Sequence, residues 1–218
     1  GTFVQHTNFG GGSPIIRGMI GPQILLMVAG VRFSNSTYRT GPGQYLNLLD
    51  PLYADRFEVL RGPGSVLYGS DAMGGVIQMF SHKLPDSSEQ KEFAISSTFL
   101  GRYGTSNNGQ TLHGRFQMGS NGSDLLGGVS YKKFGDLMGG GDVGNQPHVG
   151  YSHLTAMGKA IHHFSVGNVD QWSMTTGYFF SKIDDAGRTD KLDDKNSLQF
   201  YDNIDHLIYG RIHMEHPS

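Results

Sequence analysis

Few stretches of this chain hold residues that could bind or react. The polar segment 34–43 carries Asn35, Thr37, Tyr38 and Arg39, and Gln44 follows it. These supply donors, acceptors, one stacking face and one guanidinium, which suits a polar or anionic ligand. Asn, Ser and Gly also make ordinary turns, so each residue there has a plainer reading. A second group is Asp184, Asp185, Asp190, Asp193, Asp194, Asp202 and Asp205. Clustered carboxylates can hold Ca²⁺. Lys182, Arg188, Lys191 and Lys195 partly neutralise them and no EF-hand spacing exists, which favours a solvated loop. The ten histidines are scattered. His162 and His163 are adjacent, so on a strand they point to opposite faces, and no pair has convincing metal-ligand spacing. Gly62, Gly64 and Gly69 hint at a phosphate loop. No Gly-Lys-Ser/Thr follows the short apolar piece Val66-Leu67-Tyr68 and Gly69, and the next element looks like a strand, not a helix. With no acid–base pair, Ser-His-Asp order or metalloprotease helix, no enzyme, catalytic residue or bound metal is expected.

The elements that must position these residues are strands. The chain has 218 residues, 33 of them Gly, 8 Pro and none Cys. That composition suits turn-rich β structure without disulfides. The net charge of −2 gives no nucleic-acid signal. No run of about 18 apolar residues exists, so no helix spans a bilayer. Alternating transmembrane strands would escape that test.

In order, residues 1–13 read as a polar segment ending in a flexible loop, 9–13. A short strand at 14–18, a turn at Gly21-Pro22 and a fully apolar strand at 23–28 follow. Residues 44–49 suit a short helix ended by Asp50-Pro51. The stretch 54–81 reads as two strands, 57–61 and 76–80, pinned by glycine turns. After a polar linker at 82–90 the texture becomes a ladder of alternating strands. Phe93, Ile95, Phe99 and Tyr103 face one way. So do Leu112, Phe116 and Met118, then Leu125, Val129 and Tyr131, then Trp172, Met174, Tyr178 and Phe180. About six strands are expected, each long enough to cross a bilayer on a tilt. Short connections (120–123, 165–169) alternate with long ones (135–150, 184–205), as in outer-membrane barrels. A passive porin, an adhesin with a glycine-rich head and a soluble β-rich binding module are the competing classes.

Residues 56–77, Arg-Phe-Glu-Val-Leu-Arg-Gly-Pro-Gly-Ser-Val-Leu-Tyr-Gly-Ser-Asp-Ala-Met-Gly-Gly-Val-Ile, resemble the end of the plug domain of TonB-dependent outer-membrane receptors. Ile15-Ile16-Arg17-Gly18 and residues 24–32 resemble the plug strands before it. The family usually has an acidic residue where Ala29 stands.

The resemblance implies a mostly β chain. A plug with a small mixed sheet (1–82) would precede antiparallel transmembrane barrel strands (83–218), an incomplete barrel of about six strands. It implies a bacterial outer-membrane location, lipid contact and TonB-dependent uptake of a scarce nutrient. A ferric siderophore or haem is the first expectation, then cobalamin or a glycan. TonB would act through a segment outside this sequence, which reads as a fragment unable to close a barrel. Loops 104–109, 134–152 and 183–205 would be extracellular. Plug loops 9–13 and 34–44 would point toward cargo, making Phe9, Ser13, Asn35, Thr37, Tyr38, Arg39 and Gln44 the candidate ligand-binding residues. Arg56, Glu58 and Arg61 would anchor the plug to the barrel wall. Their plainer reading is a solvated strand face.

Overall fold

The computed structural model describes residues 1–6, 9–33, 45–84, 92–166, 170–187 and 200–215. The N-terminal part builds two small sheets. In the first, β1 (Thr2–Gln5), β2 (Ser13–Ile16) and β3 (Met19–Ile20) are antiparallel neighbours in chain order. The second uses β4 (Ile24–Val28), β5 (Val31–Arg32), β6 (Ala54–Arg61) and β7 (Gly75–Ser81), ordered β5-β4-β7-β6. It is mixed: β4 runs parallel to β7, while β5 and β6 run antiparallel to their neighbours. Strand β4, Ile-Leu-Leu-Met-Val, is buried at all five positions. Such an uninterrupted apolar run needs cover on both faces, and it has it. Leu25 and Met27 pack with Ala72, Val76 and Tyr68 on one side. Ile24, Leu26 and Val28 join the main core on the other.

Six long strands make the third sheet, antiparallel and in chain order: β8 (Ala94–Gly104), β9 (Gly109–Ser120), β10 (Ser123–Phe134), then β13 (Tyr151–Val166), β14 (Asp170–Gly187) and β15 (Phe200–Glu215). A small hairpin, β11 (Leu137–Gly139) and β12 (Gly144–Gln146), fills the long connection between β10 and β13. The strand phases follow the alternation read from sequence. Phe99, Leu112, Val129, Ile208 and Ile212 lie exposed on the outer face. Leu126, Met157, Phe179 and Ile183 point inward and share one core with Val28, Phe33, Leu48 and Met79 of the N-terminal part. No described helix is long and apolar enough to cross a membrane.

Three local expectations are corrected or completed. The segment 1–13 is not wholly irregular: Thr2–Gln5 pair with Ser13–Ile16, and Gly10 to Ser13 are buried. The short apolar piece after Gly64 forms a single helical turn, α1 (Ser65–Tyr68). Three consecutive residues with no glycine are free to coil, and the Tyr68 and Gly69 N–H groups bond back to Gly64 and Ser65. Finally, Asp50-Pro51 does more than end the 3₁₀ turn Leu46–Leu48. It starts a second one, Pro51–Tyr53.

The β4–β5 hairpin turns on Ala29 and Gly30, both left-handed (φ 51° and 81°), with Val28 opposite Val31. Two left-handed central residues define the turn type that favours Asn, Asp or Gly first. Ala at such a position costs about 1–2 kcal/mol. Ala29→Asn in the complete protein should therefore raise stability by about 1 kcal/mol. A thermal melt showing no gain would remove the strain argument.

Candidate functional site

The polar groups of the N-terminal sheets meet the long sheet at one seam. Asp50 is its centre. It precedes Pro51, whose fixed φ suits the first position of a helical turn. The Asp50 carboxylate caps that turn, with Oδ1 accepting from the Leu52 N–H at 2.9 Å. Oδ1 also accepts from Lys132 Nζ of β10 at 2.6 Å, and Oδ2 accepts from Thr155 Oγ1 of β13 at 2.7 Å. Asp50 is fully buried and the Lys132 side chain is 13% exposed. Burial alone would push the Asp50 carboxyl up. The Lys132 charge and hydrogen bond, the Leu52 N–H and the Thr155 hydroxyl outweigh it, and the carboxyl stays below its ordinary value.

Tyr53 completes the seam. Its hydroxyl donates to the Thr155 carbonyl at 3.1 Å. Its ring stands edge-on to His113 (5.3 Å) and Phe179 (6.5 Å). Burial raises its phenol above the ordinary value. The wall opens a slot for it: a Cβ on Gly128 would lie 3.0 Å from Tyr53 Cε1. Beside it, His113 Nδ1 pairs with Ser130 Oγ at 2.8 Å and His153 Nε2 with Ser181 Oγ at 2.9 Å. Such a site can hold the N-terminal part in one position against the long sheet. A cleft of about 500 Å³ runs along the seam between Leu46, Asn47 and Pro51 on one side and Arg102, Lys132, Phe134, Tyr151 and His153 on the other.

The residues singled out from sequence separate into three groups. Asn35, Thr37, Tyr38, Arg39 and Gln44 lie outside the described residues. Phe9 sits at the long-connection end of the wall, edge-on to Phe134 (5.9 Å) and Tyr151 (5.8 Å). Ser13 is fully buried and pairs with Gln5 in the sheet, so it faces the interior rather than an open site. Arg56 binds within its own sheet. It reaches Glu58 at 2.7 Å and Asp55 at 3.6 Å, and its guanidinium lies 4.0 Å over the Phe80 ring. Arg61 is exposed at the end of β6. In the acidic loop, Lys182 holds Asp184 at 2.8 Å, and Asp202 Oδ1 accepts from the Asp185 N–H at 3.0 Å. Asp205 is half-buried on β15, and Asp190, Asp193 and Asp194 lie outside the described residues. The Asp50–Lys132 pair escaped sequence reasoning. The available signals were an Asp-Pro cap and a lysine on the inward face of an apolar strand.

Known proteins match this arrangement. The family model described as TonB-dependent Receptor Plug Domain matches residues 1–76. An iron-regulated outer membrane virulence protein of Vibrio cholerae is 47% identical over 72 residues, 31% of this chain and 11% of that protein. The vitamin B12 transporter BtuB of Vibrio vulnificus is 37% identical over 89 residues, 41% of this chain and 13% of that protein. The matched stretches thus span only about an eighth of these curated relatives. Among solved structures, FpvA of Pseudomonas aeruginosa covers 97% of this chain with a TM-score of 0.62 at 15% identity, over 28% of its own length. The FrpB iron transporter of Neisseria meningitidis covers 83% with a TM-score of 0.61 at 17% identity, over 27% of its own length. These two establish the shared fold.

Asp50→Ala would strand the Lys132 ammonium in the seam, at a cost of about 3–5 kcal/mol. Hydrogen exchange in the complete protein should then show faster exchange at Leu52 and Tyr53, and Asp50→Leu with Lys132→Met should restore part of the protection. Unchanged exchange in Asp50→Ala would show that the pair does not hold the seam. Because the folded carboxyl sits below its unfolded value, its stabilisation is complete above the unfolded pKa of about 3.9 and is lost as pH falls through the folded value. Seam protection should therefore be flat across neutral pH and fall only in strong acid.

Proposed function

We propose that this chain, which belongs to the TonB-dependent receptors through the plug domain of residues 1–76, works in uptake of a scarce nutrient across the bacterial outer membrane. One observation carries the reading. A small mixed sheet is docked, through a shared core and a buried ion pair, on the inner face of a six-stranded sheet whose outer face is apolar. A porin or an adhesin has no use for such an insert, and a soluble module has no use for the exposed outer band. Residues 1–82 act as plug and 83–218 as wall. The cargo is translocated unchanged, so no chemical step is assigned to the chain.

A ferric chelate is the first cargo class. The V. cholerae relative is named for iron regulation, and FrpB is named as an iron transporter. Cobalamin is the second, because the B12 transporter matches a comparable stretch. TonB supplies the energy through a segment outside these residues. The cargo-facing surface is built from loop 34–44, with Asn35, Thr37, Tyr38, Arg39 and Gln44, together with the Phe9 apex, which sits at the long-connection end of the wall. Arg56, Glu58 and Arg61 on the exposed strand β6 provide further anchoring toward the rest of the barrel.

Growth of a receptor-deficient strain carrying the complete gene, on single ferric siderophores, haem or cobalamin, tests the reading. Rescue by one source and not the others names the cargo. No rescue by any of them, with the protein present in the outer membrane, would overturn it. Charge-assisted hydrogen bonds contribute about 1.5–3 kcal/mol each. Replacing Tyr38 and Arg39 with Ala should therefore weaken cargo binding by roughly ten- to a hundredfold. Unchanged affinity in a titration would move the site away from loop 34–44.

A further inference from the structure

A second polar cluster lies lower on the seam, away from Asp50. Lys159 of β13, Gly177 of β14 and Tyr209 of β15 share one rung of the wall. All three face inward. Tyr209 lies across the bare Gly177: a Cβ there would meet the phenol oxygen at 2.5 Å. The ring therefore points along the rung toward Lys159. Tyr209 is only 8% exposed, and its hydroxyl has no hydrogen-bond partner among the described residues. A buried phenol normally finds one, so this hydroxyl is available to donate to a further group.

One rung lower, Arg211 reaches toward the plug. Its Nη2 donates to the Ala29 carbonyl at 2.7 Å. A Cβ on Gly30 would lie 2.8 Å from that Nη2 and 3.8 Å from Gln78 Nε2. Lys159 Nζ reaches Ser81 Oγ at 3.5 Å, a long contact for an ammonium. Both of these hydrogen-bond partners among the described residues are uncharged. Neither cation is in an ion pair among the described residues. The inward carboxylate of β15, Asp205, lies on the Ser181 rung, beyond the Leu207–Phe179 rung. Four residues along a strand put it roughly 13 Å from Tyr209 along the backbone. The cluster thus gathers an ammonium, a guanidinium and an unpartnered phenol with no negative charge among them.

We propose that Lys159, Tyr209 and Arg211 form a binding site for a small oxyanion, phosphate or a carboxylate, at the seam between the hairpin turn Ala29-Gly30 and the wall. The ammonium and guanidinium supply charge, and the phenol donates the hydrogen bond it otherwise lacks. The bound anion bridges plug and wall and so stabilises the docked state by mass action.

The test uses the complete protein purified in detergent. Its thermal midpoint is followed while inorganic phosphate replaces a zwitterionic buffer at constant ionic strength. A saturable rise is expected. Tyr209→Phe and Arg211→Gln should each weaken the apparent affinity at least tenfold. Ala29→Asp supplies a carboxylate from the turn and should raise the midpoint without phosphate and abolish the response. Ala29→Asn, which relieves the turn without adding charge, should keep it. A flat phosphate response in the wild-type protein would overturn the site and leave a water as the phenol's partner. A response that survives both Arg211→Gln and Ala29→Asp would place the anion elsewhere. A cargo that fails to rescue growth leaves this result untouched, so the two readings fail separately.

Discussion

Everything else in the structure depends on keeping one carboxylate out of water. Asp50 has no exposed surface, and it is held by groups from three separate elements: its own turn, β10 and β13. An unpaired charge at that depth would be far costlier than any one apolar contact. The N-terminal sheets therefore have one register against the wall rather than a range of them. The apolar core around Val28, Phe33, Leu48 and Phe179 supplies most of the adhesion. The ion pair and the Tyr53 slot at Gly128 decide where that adhesion is satisfied. This division of labour separates the strength of the docking from its position. Apolar surfaces slide past one another at little cost, whereas a buried pair is either made or broken.

The wall was legible because its two faces meet different solvents. Alternation of Leu112, Phe116 and Met118 with Thr111, His113 and Arg115 has one period and one meaning, and the observed registers follow it. The inward apolar residues were not legible. Leu126, Met157, Phe179 and Ile183 occupy the face that pattern reserves for polar side chains. They are there because part of that face is lined by the plug rather than by water, and no local signal reports a distant surface. The same holds for Asp50 and Lys132, 82 residues apart in sequence. Strand 1 was obscured for a different reason. Thr2–Gln5 is short and exposed throughout, so it lacks the buried face that makes a strand visible.

Glycine has two distinct uses in this chain. At Gly30 the backbone itself needs the left-handed conformation. At Gly128 and Gly177 the need is for empty space, since a tyrosine ring takes the place of the missing side chain in each case. Wall glycines of the second kind record where the neighbouring body or a neighbouring strand comes close. They are the trace that packing leaves in a sequence whose pattern otherwise describes only the wall itself.

The pairing directions in the two small sheets have a mechanical meaning. In β1 and β2 the first residue of one lies beside the last of the other, Thr2 opposite Ile16. Tension entering upstream of Thr2 loads their hydrogen bonds one rung at a time, like a zip. Strand β4 runs parallel to β7, and β7 leads on into the wall. Tension between the start of β4 and the end of β7 loads all the rungs of that pair together, in shear. The molecule thus has a soft outer hairpin in series with a stiff inner ribbon. Both carry the same tension, so the hairpin unzips at a force the sheared ribbon withstands.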